Sequence, residues 1–121
     1  MKQILLTSLM LFFLISCGGV KKTQEALNTG NYGNAINTAL KNIAENKTKK
    51  SNQPYIQMLE EAYKKNTERE LQEIAFLKKD NNPANHEIIF NGYQNLKSIQ
   101  ERIKPLLPLK LYDENRDARF S

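Results

Sequence analysis

Two long stretches of this chain carry apolar residues at helical spacing, and only four residues separate them. In the first, Ile56, Leu59 and Tyr63, then Leu71, Ile74 and Leu77, recur at steps of three and four. In the second, Ile89, Tyr93, Leu96, Ile99 and Ile103 do the same. Such a period places apolar side chains along one stripe of a helix. Asp80-Asn81-Asn82-Pro83 between them is a turn sequence. A short turn between two long amphipathic helices leaves an antiparallel pair, packed along the two stripes. The spacing predicts helices over about 54–79 and 84–103. Pro54 opens the first, where its missing N–H costs nothing, and Pro105 and Pro108 close the second. Lys64 to Glu70 is wholly polar and reads as a thin waist in one continuous helix. Glu60–Lys64 and Glu61–Lys65 stand four apart in the favourable order.

Upstream, Ala35, Ile36, Ala39, Leu40 and Ile43 mark an amphipathic helix over about 34–46, and a short helix fits 21–28, with Leu27 as its apolar contact and Gly30 as its stop. The expected fold class is therefore all-α, a small antiparallel helical bundle. After Pro108 no period continues. Residues 108–121 read as an extended or irregular tail in which Leu109, Leu111 and Phe120 need covering. One chain of 121 residues supports one such domain. Its single cysteine, Cys17, leaves no internal disulfide to reinforce it.

The amino-terminal segment has a different character. Met1-Lys2 gives a short positive start, and Ile4 to Ile15 is apolar except for Thr7 and Ser8. Twelve helical residues reach about 18 Å, well short of a hydrocarbon core of about 30 Å, so the run reads as the apolar region of a signal peptide. It ends in Leu14-Ile15-Ser16-Cys17, which resembles the lipobox of bacterial lipoproteins. That resemblance implies diacylglycerol on the Cys17 sulfur, cleavage before Cys17 and acylation of the new amine by a fatty acid such as palmitate. It further implies attachment to the membrane of the bacterial envelope, with the outer membrane favoured because Gly18 stands where an Asp would favour the inner one. Two or three acyl chains make a stable anchor, whereas one is marginal. The expected organisation is a signal peptide over 1–16, a lipidated flexible tether over 17–20, a helical domain over 21–107 and the tail over 108–121.

Two further resemblances concern the mature part. Gly30-Asn31-Tyr32-Gly33-Asn34-Ala35-Ile36 is similar to the start of the second helix of a tetratricopeptide repeat, with Tyr32 and Ala35 on the motif's aromatic and small positions. Ala39 and Asn42 depart from it and no proline closes the unit, so the resemblance implies a half-repeat, a short TPR-like helix pair. The stretch from Cys17 through Tyr32 to Pro105-Leu106-Leu107-Pro108 looks like the front of longer, uncharacterised envelope lipoproteins, which makes the chain either a short member or a truncated one.

Charge and chemistry narrow the function. Residues 17–50 hold six lysines against Glu25 and Glu45, while residues 51–121 balance eleven basic with eleven acidic side chains. The excess thus lies near the expected anchor, where lysines either face anionic lipid or form an ordinary solvated surface. A lipid-anchored exported protein does not meet nucleic acid, so no nucleic-acid partner is expected. His86 is the only histidine, and zinc needs three or four ligands. No metal or cofactor is expected. Glu70 and Glu73 share a helical face but stand among Lys and Arg, and Ser51 and Ser98 have no His–Asp arrangement beside them. An enzyme is not expected. The leading expectation is an envelope lipoprotein, bound to the membrane through lipid on Cys17, that acts as a helical interaction or scaffold module for a protein partner. Tyr32, Tyr55, Tyr63, Tyr93 and the Leu109–Phe120 tail are its candidate contacts, with core packing as the competing role of each tyrosine. The other readings are a small-ligand or lipid carrier, and a truncated fragment of a longer lipoprotein.

Overall fold

The structure, a computed structural model, describes residues 18–120. The signal peptide over 1–16 and the lipidation site Cys17 lie outside the described residues. Four helices dominate: α1 over 18–28, α2 (Tyr32–Glu45), α3 (Gln53–Asp80) and α4 (His86–Ile103). Short 3-10 turns at Lys50–Asn52, Pro83–Asn85 and Lys104–Leu106 introduce α3 and α4 and follow α4. Two two-residue strands, β1 (Lys110–Leu111) and β2 (Arg116–Asp117), pair antiparallel, Lys110 opposite Asp117 and Leu111 opposite Arg116.

The helix ends follow from particular residues. Gly30 takes a left-handed φ of 81°. Its N–H reaches the Leu27 carbonyl at 3.2 Å and that of Asn31 reaches Ala26 at 2.8 Å, the paired bonds that satisfy the last carbonyls of α1. Asn52, buried, donates its amide to the carbonyls of Asn42 at 3.1 Å and Asn46 at 2.8 Å, closing the end of α2 in the same sense. At the far end of α3, Asn81 turns left-handed at φ 51°. Asn85 then reaches back to the Leu77 carbonyl and the Asp80 carboxylate, both at 3.2 Å. The turn sequence 80–83 is thus tied down by amides on both sides.

Helices α1, α2 and the first half of α3 pack antiparallel in succession. Arg69 of α3 donates to the carbonyl of Gly30 at 2.7 Å, which sets the α1–α2 turn beside the middle of α3. The core lies entirely on the near side of that contact. Leu27, Ala35, Ile36, Ala39, Leu40 and Ile43 meet Tyr55, Ile56, Met58, Leu59, Ala62 and Tyr63, and Ile103 joins them from α4. Beyond Arg69, α3 has only α4 for company. The two continue as an arm in which Ile74 and Gly92 are buried and most other side chains are not.

All-α architecture is as the periodicity required, and α3 runs unbroken through its polar waist. Three expectations are corrected. Gly18 and Gly19 belong to α1 and not to a flexible tether, because Tyr55 packs against Gly19 and the Thr23 hydroxyl donates to the Gly19 carbonyl at 2.8 Å. Residues 108–120 are extended or irregular as expected, apart from the short hairpin, but they are not a separate tail. Leu109, Leu111 and Ala118 are core residues with Phe120 packed beside them, so this segment belongs to the same folded unit as 21–107. Leu71 and Tyr93, expected on the buried stripes, are exposed, because an isolated helix pair can bury only the residues along its line of contact.

Candidate functional site

The fold has two distinct ends. At the base, the start of α1, the end of α2 and the start of α3 surround a groove of about 710 Å³ walled by Gly19, Asn42, Glu45, Lys49, Asn52 and Tyr55. The Tyr55 hydroxyl lies against Gly19, where a Cβ would collide with it, and burial pushes the Tyr55 phenol above its ordinary pKa of 10.0. The carboxy-terminal hairpin is fastened to this same end. Gln53 donates to the Lys110 carbonyl at 2.9 Å and accepts from the Tyr112 N–H at 3.0 Å. Glu60 receives Arg116 through two bonds of 2.7 and 2.8 Å and the Arg119 N–H at 2.7 Å. The hydrogen bonds from Arg116 hold the Glu60 carboxyl below its usual range, and Glu60 in turn raises the Arg116 guanidinium.

The arm is the other end. Its flanks expose Phe76 at 72%, Phe90 at 60% and Ile88 at 52%, with Leu71 and Tyr93 also open to water. Leu77, Ile89, Phe90 and Tyr93 line a shallow groove of about 420 Å³ edged by Lys78 and His86. Lys78 bridges the pair of helices there, donating to the Tyr93 hydroxyl at 2.8 Å. Gly92 allows the two helices to approach, since a Cβ on it would stand 3.1 Å from Ile74 Cδ1 and 3.3 Å from Glu70 Oε1.

No family model, curated protein or solved structure matches this chain. Its functional surfaces therefore rest on geometry alone.

The four tyrosines go to three different surroundings. Tyr55 and Tyr63 are buried in the core. Tyr63 meets Phe120 edge to face at 5.5 Å and accepts from the Gln100 amide at 3.0 Å. Tyr32 is half-buried beneath Arg69, whose guanidinium carbon is 4.4 Å from the ring centroid. Tyr93 alone is exposed, on the arm. Glu70 packs across Gly92 while Glu73 faces solvent, so the two carboxylates sit in different environments. Among the described residues, no group of three His, Cys, Asp or Glu side chains is placed to hold a metal ion. Among them, too, no helix is long and apolar enough to cross a membrane. Sequence periodicity missed Phe76, Ile88 and Phe90. The available signal was that all three are large and apolar yet out of phase with the stripes beside them, which is what an exposed apolar surface on an amphipathic helix looks like.

Proposed function

We propose that this chain is a bacterial envelope lipoprotein, anchored through lipid on Cys17, whose helical domain is a non-catalytic module that presents the α3–α4 arm to a protein partner. One observation carries the reading: Gly18, bonded to the expected attachment point, begins α1 at the base of the fold, where α3 also begins, and the exposed apolar surface lies on the arm, where α3 ends. Cys17 is bonded to Gly18, and Gly19 abuts Tyr55 at the base. Phe76 follows twenty-one positions later on α3, a rise of about 32 Å along a continuous helix. A base held at a bilayer therefore leaves Phe76, Ile88 and Phe90 pointing outward, clear of the headgroups. Scattered single apolar residues on a surface need no explanation, but several on one two-helix arm are the mark of a contact site.

The Leu14-Ile15-Ser16-Cys17 lipobox supports the anchor, and Gly18 after it supports the outer membrane. The TPR-like reading of α1 and α2 is supported by Ala35, fully buried as a small residue at a close helix crossing would be. The test is crosslinking in intact cells followed by purification of the lipidated protein from membranes. A stoichiometric partner that is captured by the unaltered protein and lost with Phe76→Ser and Phe90→Ser, at unchanged membrane fractionation, is the expected result. Equal recovery with both variants removes the arm from the mechanism.

A further inference from the structure

We infer that the base is itself a docking surface for anionic phospholipid headgroups, one that acts in addition to the acyl anchor. The sequence places its positive excess in residues 17–50, but folding extends it. Lys47 donates to the carbonyls of Leu106 at 3.2 Å and Pro108 at 3.4 Å, which brings the α2–α3 connection beside the segment that follows α4. Gln53 holds the Lys110 carbonyl at the start of α3. As a result Lys49 and Lys50 from one segment and Lys104 and Lys110 from another gather at the end where α1 begins, with Lys21 and Lys22 on its first turns. All six are exposed. The acidic groups at this end are Glu45, Glu60, Asp113, Glu114 and Asp117. Glu60 and Glu114 are already paired with Arg116, at 2.7 and 3.0 Å, and Asp117 stands opposite Lys110 across the hairpin, so the lysines still outnumber the carboxylates left without a basic partner.

Lysines near an anionic surface are attracted over about a Debye length, and several acting together bind a membrane that one would not. The occupant is a phospholipid bilayer, because the residue next to Gly18 is the expected acylation site and the apolar arm points the opposite way. The arm carries no such excess, since Lys78 and Lys79 stand there among Glu70, Glu73, Asp80 and Glu87. The geometry rests on the anchoring reading, but the binding does not require the lipid.

The two separate experimentally. Among the described residues, every core residue and every side chain packed against the core lies between Val20 and Phe120, so a chain of residues 18–121, which lacks Cys17, keeps that core. Its co-sedimentation is measured with vesicles of phosphatidylcholine alone and with vesicles that also contain phosphatidylglycerol. Binding to the anionic vesicles should exceed that to the neutral ones by more than about tenfold, and should vanish as salt rises toward about 1 M. Replacing Lys49, Lys50, Lys104 and Lys110 by Gln should abolish it. The same number of changes at Lys64, Lys65, Lys78 and Lys79 should leave it, and circular dichroism checks that each variant folds. Equal binding to both vesicle types, equal loss in both quadruple variants, or loss caused instead by Phe76→Ser and Phe90→Ser overturns the inference. The intact mass of the protein extracted from membranes decides acylation of Cys17 independently, so the two readings stand or fall apart from each other.

Discussion

Glu60 accepts both branches of the Arg116 guanidinium, at 2.7 and 2.8 Å, across a sequence separation of 56 residues. This pair fastens the carboxy-terminal hairpin to α3. A bidentate, charge-assisted contact is among the stronger hydrogen bonds a protein makes, though partial exposure screens it.

Its pH dependence has a definite sign. The Glu60 carboxyl is held below the ordinary value of 4.5, so the folded state binds its proton less readily than the unfolded one. The contribution is fully present above the unfolded value and is lost as pH falls through the lower folded value. Acid titration followed by hydrogen exchange should show residues 109–120 opening before α2 and α3. In Glu60→Gln the early acid phase should disappear, with a cost near neutral pH of about 1 kcal/mol.

Gly19 provides a test in which the usual effect of a substitution changes sign. Replacing glycine by alanine inside a helix ordinarily stabilises by up to about 1 kcal/mol. Gly33 in α2 has open space where a Cβ would go, so Gly33→Ala should raise the urea midpoint. At Gly19 the Cβ meets the Tyr55 hydroxyl, and Gly19→Ala should lower it. In a Tyr55→Phe background the obstructing atom is gone and Gly19→Ala should become neutral or stabilising.

The arm should respond to Gly92 alone. An added Cβ would press on Ile74, whose atoms lie 3.1 and 3.3 Å from that position, while Ile74 has little room to give because it is buried. Gly92→Ala should cost about 1 kcal/mol, confined to residues 70–96 as faster amide exchange there, with the core protection unchanged.

Asn52 has the largest expected penalty among the polar residues. It satisfies two carbonyls at the end of α2 from a buried position. Asn52→Ala leaves both without that partner and should destabilise by about 1–3 kcal/mol in chemical denaturation.

The helices were legible in the sequence because their contacts are periodic. Expected spans of 34–46, 54–79 and 84–103 sit within two residues of α2, α3 and α4, and Gly30, Asn81 and Pro54 mark ends as their chemistry requires. What periodicity could not convey depends on partners far away in the chain. Gly18-Gly19 reads as a tether by composition and is helical because Tyr55 occupies the space beside it. Residues 109–120 have two-residue strands too short to show alternation, and they are held by Gln53 and Glu60. The arm was misread for a related reason. A stripe predicts burial only if a second surface covers it, and Leu71 and Tyr93 lie past the last element able to do so. Lys104 and Lys110, likewise, join the basic base only through the Lys47 and Gln53 bonds.

Between Tyr55 and Asp80 there is no glycine or proline, and α3 crosses from the packed half of the molecule into the arm without interruption. Such a helix has no joint. A sideways load applied at Phe76 is carried as torque to Tyr55 and the side chains around it, so the molecule behaves as a stiff strut whose outer tip and inner footing turn together.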